Sequence, residues 1–365
     1  MSESAAVLRD AKLAYRDGGI VEAEALCRRL LRRHPTSAGA LHLLGMLHAA
    51  RGDAAEAVRL YAQSLAYSPE QSEVWCDLAT AYQQCGMSTK AIGVLVRAIS
   101  IYPRRYRAYG LLGALYYQLG RIGDAADLYR EWFRRDPTNV EVHHMVLSTR
   151  AGSDSPPRCS DAFVRAHFDN CADVFDERLI KRLGYRGHQI VAGAYKRSTL
   201  TLRGGVLDAG CGTGLCGPLV RPYCGHLVGV DLSENMIERA RARGVYDELI
   251  VGELCAFMAS RPDAFAAIIA ADVLIYFGTL EPVMKAAYRA LQPEGILAVT
   301  FELLAGSGPQ SYRLEVHGRY CHTEAYVRNV LSQAGFESLH IRQETIRLEL
   351  GKEAIGIVAV ARKVS

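Results

Sequence analysis

The chain has 365 residues, half of them apolar, with 43 Lys and Arg against 39 Asp and Glu for a net charge of +4. That length supports about two domains with cores of their own, and so even a charge balance argues against a nucleic-acid partner. No apolar run approaches the roughly 20 residues of a membrane span, and Met1-Ser-Glu-Ser-Ala lacks the basic-then-apolar start of a secretory signal, so a cytoplasmic protein is expected.

The first third is periodic. Pro35, Pro69, Pro103 and Pro137 each follow the last by 34 residues, which is a solenoid period. In that register Leu44, Leu78 and Leu112 share a column, followed by Gly45, Ala79 and Gly113, then by His48, Tyr82 and Tyr116. Gly18, Gly52, Gly86 and Gly120 form a later column, and Ala23, Ala57, Ala91 and Ala125 another. Cys27, Tyr61, Leu95 and Tyr129 complete the unit. This pattern resembles the tetratricopeptide repeat over residues 4 to 139. The resemblance implies four helix pairs, with glycine ending the first helix of each, alanine where the two helices meet, and proline after the second. A capping helix is expected over 140–149, closing an all-α solenoid domain of residues 1–150. Such a solenoid presents a groove for a protein partner or a second copy in a homodimer. The slight basic excess, 19 Lys and Arg against 15 Asp and Glu, lies before residue 151. Its dense patches, Arg28-Arg29-Leu-Leu-Arg32-Arg33 and Arg104-Arg105-Tyr-Arg107, read as solvated helix faces.

Residues 151–160, small, polar and twice interrupted by proline, read as a linker. A second domain, 161–365, begins with a helical stretch to 198 in which Phe168, Ala172 and Phe175 share one face. That face is expected to pack on the sheet, with a lid over a cofactor as the alternative. Strands follow at 204–209, 226–231, 247–251, 265–271, 295–302, 337–343 and 354–361, the first six separated by helices. This alternation predicts a Rossmann-like, mostly parallel seven-stranded sheet covered on both faces. The short connection 343–353 favours a hairpin, so one terminal strand is expected to be antiparallel.

The first strand runs into Val206-Leu-Asp-Ala-Gly210-Cys-Gly212-Thr-Gly214. Alternate glycines permit positive φ and let a ligand approach the main chain. Gly212-Thr-Gly214-Leu-Cys-Gly217 also satisfies the weak dinucleotide pattern, so the loop alone leaves two cofactor classes open. Three neighbours decide between them. Asp208 at the strand tip disfavours a pyrophosphate and suits an ammonium. Asp231 ends the second strand, where a carboxylate binds both hydroxyls of a ribose. Gly252-Glu253-Leu254 follows the third strand and offers a carboxylate and backbone to an adenine edge. Together they fit an adenosyl group carrying a charged amino acid.

With Asp231-Leu-Ser-Glu-Asn-Met236, Ala271-Asp272-Val-Leu-Ile-Tyr276 and Ala290-Leu-Gln-Pro-Glu-Gly295, the domain resembles the class I S-adenosylmethionine-dependent methyltransferases. The resemblance implies S-adenosyl-L-methionine as cofactor. Asp208, Gly210 and Gly212 would then hold its methionine part and Asp231 its ribose, with Met236 and Leu254 on the adenine faces. Ala271 would meet the amine through its backbone, and Cys211, Gly214, Leu232 and Glu253 complete the expected contacts. Glu253 stands where many relatives carry Asp, and Gln292-Pro-Glu-Gly295 replaces a more usual Pro-Gly-Gly turn.

Methyl transfer needs orientation and water exclusion, and a base only where the acceptor must lose a proton. His317, Tyr320 and His322 cluster between the fifth and sixth strands, and Tyr276 follows the fourth. His322 is the first candidate base and Tyr320 the second, with His317 and Tyr276 after them. Ten cysteines show no C-x-x-C pair and no paired His–Cys spacing, so neither a metal site nor a disulfide scaffold is expected. The reading is a methyltransferase for a small-molecule or carrier-bound acceptor, through O or N, with the repeats recruiting a partner. The alternatives are a protein side-chain methyltransferase with its substrate in the repeat groove and a non-catalytic cofactor-binding scaffold, with an oxidoreductase behind them.

Overall fold

The computed structural model describes residues 3–104, 106–149, 155–176, 179–180, 183–198, 204–305, 310–349 and 352–364. They fall into two compact units, Met1–Pro137 and Thr138–Ser365.

The first unit is four helix pairs: α1 (Glu3–Arg16) with α2 (Ile20–Arg33), α3 (Ala38–Ala50) with α4 (Ala54–Tyr67), α5 (Ser72–Gln84) with α6 (Ser88–Ile101), and α7 (Tyr106–Gln118) with α8 (Ile122–Arg135). The 34-residue columns are the packing contacts. Ala23, Ala57, Ala91 and Ala125 are each fully buried, and Gly18, Gly52, Gly86 and Gly120 take the left-handed φ of a helix C-terminus. Gly45 is required by close approach, since a Cβ there would lie 2.6 Å from the Tyr61 ring. Gly45→Ala is therefore expected to destabilise the array by about 1–3 kcal/mol through overpacking. Gly93→Ala, where a Cβ meets nothing within 4 Å, should stabilise it by about 0.5–1 kcal/mol. Urea unfolding of the two full-length variants measures both. In the two basic patches Arg28 pairs with Glu24 and Arg107 with Glu73 and Asp77.

The second unit opens with α9 (Val140–Ser148) and α10 (Asp161–Cys171). Expected to cap the solenoid, α9 belongs with this unit. Its His144 donates to the Gly318 carbonyl at 2.8 Å and stacks on Phe163 with ring centroids 3.8 Å apart. Of the expected linker, 151–154 lies outside the described residues. The rest is pinned to the fold, with Gly278 and Thr279 donating backbone N–H groups to Pro157 and Cys159 donating its own to Tyr276. In the helical stretch beyond it, residues 177–178, 181–182 and 199–203 also lie outside the described residues.

Then follow α11 (Gly187–Ser198), β1 (Gly205–Ala209), α12 (Gly217–Val220), β2 (His226–Asp231), α13 (Glu234–Ala242), β3 (Glu248–Val251), α14 (Leu254–Ala259), β4 (Phe265–Ala270), α15 (Glu281–Ala290) and β5 (Leu291–Leu303). The chain ends with β6 (Tyr312–Leu314), β7 (Tyr320–His322), α16 (Glu324–Gln333), β8 (Phe336–Glu349) and β9 (Lys352–Lys363). The parallel order β3-β2-β1-β4-β5 is the doubly wound core, and β9 lies antiparallel between β5 and β8. All seven expected strands are present, and the last two, β8 and β9, pair antiparallel as the short link between them predicts.

The short hairpin β6–β7 is an addition to that expectation. Glu302 of β5 pairs with Gly356 of β9 on one side and with Cys321 of β7 on the other. The hairpin thus extends the sheet past the end of β4, and its turn carries Arg319 back towards the carboxyl ends of the strands. No helix among the described residues is long and apolar enough to cross a membrane.

Candidate active site

Beyond the carboxyl ends of β1, β2, β4 and β5 the second unit encloses a cavity of about 230 Å³. This is where an open α/β sheet binds its ligand. The glycine loop forms its floor, with φ of +69°, +54° and +82° at Gly210, Gly212 and Gly214. A Cβ at Gly210 would also strike Val273 at 2.5 Å. The loop is tied to β2 through Asp231, which accepts the Gly212 N–H at 2.9 Å with one oxygen and the Ser233 N–H at 2.9 Å with the other. Burial raises the Asp231 pKa against those backbone hydrogen bonds.

Asp208, 1% exposed, stands one residue before the end of β1 at the cavity wall. The Tyr246 hydroxyl donates to one of its oxygens at 2.6 Å. Burial pushes its pKa up to about 7, against that hydrogen bond and with help from the Asp231 charge.

Of the residues singled out from the sequence, Asp208, Gly210, Cys211, Gly212, Asp231, Leu232, Glu253, Leu254, Ala271 and Tyr276 line this cavity. Gly214 and Met236 are not on its wall. Gly214 turns the chain against Tyr246, and Met236 is fully buried on α13. Glu253 is largely committed elsewhere, because it caps α14 by accepting the Ala256 N–H at 2.7 Å and pairs with Arg158 at 3.1 Å.

The expected base cluster does not reach the cavity. His322 is fully buried, donates from Nε2 to the Gly278 carbonyl at 3.2 Å, and is driven by burial to a pKa of about 4. Tyr320, also fully buried, donates its hydroxyl to the Pro156 carbonyl at 2.5 Å. Their strand pairing in β7 turns both side chains into the core. His317 donates to Glu302 at 3.2 Å and accepts the Arg319 N–H. Tyr276 alone of the four faces the cavity, and its hydroxyl finds no partner among the described residues. Burial raises its pKa while the Arg319 charge opposes the shift, so it is a neutral donor near pH 7.

Phe168 and Phe175 meet edge to face with centroids 5.8 Å apart, and Phe168 meets Tyr276 likewise at 5.5 Å. All three rings line the cavity. This face, expected to pack on the sheet, lines the cavity with Phe168 and Phe175. Polar contacts fasten this segment to α13 and its N-terminal cap: Ser233 donates to Asp169 at 2.5 Å, Arg239 pairs with Asp173, and Arg243 pairs with Asp176.

A charged network not anticipated from the sequence forms the far wall. Arg347, 5% exposed, pairs with Asp272 at 2.7 Å, with Glu302, and with Glu349 at 3.2 Å. Arg319 pairs with Glu302 at 3.0 Å and with Glu349. Burial works against ionisation of Glu302, but His317 and the two guanidiniums outweigh it and hold its pKa low. Asp272 is fixed at a left-handed φ of +56°, its N–H donating to Thr300 Oγ1 and its carboxylate accepting from the same hydroxyl. Donor atoms of Glu302, His317 and Cys321 lie within 4.8 Å of one another. Two guanidiniums already occupy that carboxylate, so the group repels a cation.

Comparison with known proteins agrees with this architecture. Residues 207–299 match the family profile described as a methyltransferase domain, and residues 48–99 and 76–140 match tetratricopeptide-repeat profiles. The second unit has a Rossmann-like fold with a methyltransferase-domain match, and the first is a tetratricopeptide-repeat array. Among similar solved structures is Haemonchus contortus phosphoethanolamine N-methyltransferase 2 in complex with phosphomonomethylethanolamine and S-adenosylhomocysteine, at 17% identity and a TM-score of 0.41 over 48% of this chain. A second structure of that enzyme, at 16% identity and TM-score 0.41, is in complex with S-adenosyl-L-methionine and also aligns with 48% of this chain. The chain spans 52% and 53% of those two structures. Magnesium protoporphyrin IX methyltransferase from Synechocystis with bound S-adenosylhomocysteine matches at 20% identity and TM-score 0.42, covering 56% of this chain and 99% of its own.

Proposed function

We propose that the second unit transfers a methyl group from S-adenosylmethionine to a small or carrier-bound acceptor, and that the repeats hold a protein partner. The observation that carries this reading is the pair of carboxylates, buried Asp208 and half-buried Asp231, on either side of a left-handed glycine loop in one cavity. A dinucleotide's pyrophosphate is poorly served there. An ammonium suits Asp208, and a ribose diol suits Asp231, whose oxygens each keep a lone pair beyond the backbone bond they accept. Main chain from 252 to 254 and the Leu254 side chain suit an adenine better than the Glu253 carboxylate, which is engaged at the start of α14.

When bound, S-adenosylmethionine supplies an electrophilic methyl on a sulfonium, so the protein's share is alignment and exclusion of water. Phe168 and Phe175 close the cavity against solvent, which supports a small acceptor or the tip of a tethered one. Tyr276, protonated and unpaired among the described residues, offers a hydrogen bond to orient the acceptor. The general base expected at His322 or Tyr320 drops out of this account, since neither side chain reaches the cavity.

Calorimetric titration of the full-length chain with S-adenosylmethionine and with a nicotinamide dinucleotide tests the cofactor. Preference for the dinucleotide would overturn the reading. Labelled-methyl transfer in a lysate of the source cell, followed by mass spectrometry, identifies the acceptor. With that acceptor in hand, Tyr276→Phe should lower turnover by about tenfold, the worth of one hydrogen bond to a reacting group, and leave S-adenosylhomocysteine affinity unchanged. Unchanged turnover would remove Tyr276 from the chemistry.

A further inference from the structure

Arg319 reaches the cavity from the β6–β7 turn, and that turn is tight. The Glu315 N–H donates to the Arg319 carbonyl at 2.9 Å and the Gly318 N–H to the Glu315 carbonyl at 2.8 Å, with Gly318 at a left-handed φ of +85°. The Arg319 charge opposes the rise of the Tyr276 pKa. Such an effect fades with distance, so the guanidinium acts directly on the hydroxyl that is offered to the acceptor.

The turn is held by α9, the first helix after the repeats, which only residues 136–139 separate from α8. His144 and Ser148 lie four residues apart on one face of α9, and both are buried. The Ser148 hydroxyl stands 3.4 Å from the Val316 carbonyl, and His144 Nε2 donates to the Gly318 carbonyl at 2.8 Å. A turn carbonyl with no ladder partner costs stability when buried, and His144 satisfies it. The fit is close, since a Cβ at Gly318 would meet Met145 Sδ at 3.3 Å and His144 Nε2 at 3.4 Å. Burial lowers the His144 pKa, so the ring is neutral near pH 7 and its one N–H is the one the carbonyl accepts.

We propose that His144 is a positioning residue for the acceptor: by holding the Gly318 carbonyl, it fixes the turn that sets Arg319 beside Tyr276. The inference rests on the methyltransferase reading above. One rigid peptide plane carries both the Gly318 carbonyl and the Arg319 N–H. His144 holds the oxygen of that plane, and His317 Nδ1 accepts from its nitrogen at 3.3 Å. The plane is clamped at both ends, and with it the backbone from which the Arg319 side chain sets out towards Glu302 and Glu349. No residue of α9 lines the cavity, so His144 acts on the acceptor only through what it holds. The cofactor end, at the glycine loop and Asp231, makes no use of it. The helix expected to close the repeats thus serves the acceptor end of the catalytic unit.

The test uses the full-length chain. His144→Phe keeps a ring against Phe163 and removes the donor, whereas His144→Gln puts an amide N–H at a similar reach. Amide hydrogen exchange across 315–320 should quicken about tenfold in His144→Phe, recover towards the unaltered rate in His144→Gln, and stay unchanged across 208–214 in both. Labelled-methyl transfer into a dilution series of source-cell lysate gives a half-saturation for the acceptor without naming it. That value should rise about tenfold in His144→Phe and in Arg319→Gln, with S-adenosylhomocysteine affinity by calorimetry unchanged. Because the two residues act in series, the double variant should be no worse than Arg319→Gln. Losses that multiply in the double variant, an equal loss of S-adenosylhomocysteine affinity, or unaltered exchange across 315–320 would overturn the proposal. Should His144→Phe melt far below the unaltered chain, His144→Asn, whose amide stops short of the carbonyl, takes its place. If the unaltered chain bound no S-adenosylhomocysteine or transferred no label, the methyltransferase reading would fall and this inference with it.

Discussion

Asp231→Ala is expected to weaken S-adenosylhomocysteine by about a hundredfold and to lower the melting temperature of the ligand-free chain at the same time. The two effects have different origins. A ribose diol donating to a carboxylate gains roughly 1.5–3 kcal/mol per hydrogen bond, and losing about 3 kcal/mol corresponds to about a hundredfold in affinity. The stability loss comes from the other lone pairs of the same carboxylate, which now accept from Gly212 and Ser233. Leaving those N–H groups without partners costs roughly 1–3 kcal/mol each where no water replaces the oxygen. Even 2 kcal/mol would lower the melting point of a domain this size by about 4–8 °C. Thermal melting and calorimetry on one preparation separate the two roles. A lower melting point with unaltered affinity would leave Asp231 as a clasp for the glycine loop and remove it from the ribose.

The neighbourhood of Asp231 shows how far local pattern carries. The glycine loop, the carboxylates near the ends of β1 and β2, and all seven expected strands are legible because each is written within a dozen consecutive residues. The 34-residue columns are legible for a similar reason, since one packing solution recurs four times. What escapes is anything assembled across the chain. Arg347 sits in Glu344-Thr-Ile-Arg-Leu-Glu349, an alternation that reads as a strand with one solvated face. Its partners Glu302 and Asp272 lie 45 and 75 residues away, so no window on the sequence pairs them. His144 stands in a helix expected to cap the repeats, where nothing marks its bond to a carbonyl 174 residues away. The His317 to His322 segment misleads in the opposite sense, because residue types suited to proton transfer cluster there. The short β6–β7 ladder then spends them on backbone carbonyls and the core, and delivers Arg319 to the cavity in their place.

Cofactor affinity should also depend steeply on pH, through Asp208. In the ligand-free protein its pKa is pushed up to about 7 from 3.8 by burial, with the Asp231 charge adding to the shift and the Tyr246 hydroxyl opposing it. Near neutrality the carboxyl is therefore about half protonated, and only the ionised half is ready for an ammonium. An ammonium at hydrogen-bond distance favours the ionised form and draws the pKa down again, so binding expels a proton. The dissociation constant of S-adenosylhomocysteine should then rise about tenfold for each pH unit below 7, reaching roughly a hundredfold between pH 8 and pH 5. The effect on the empty fold has the opposite sense. A carboxyl whose pKa is raised by folding binds its proton more tightly in the native state than in the unfolded one, so its contribution to stability falls as pH rises from about 4 to about 7. Thermal stabilisation by ligand should accordingly grow with pH while the ligand-free protein loses this contribution. Titrations in buffers of different ionisation enthalpy count the released proton directly. Methylthioadenosine, without an ammonium, should show little of the slope, and Asp208→Asn should bind S-adenosylhomocysteine weakly and with a flattened profile. A slope that persists in Asp208→Asn would move the titrating group elsewhere in the cavity and leave the ammonium without its assigned partner.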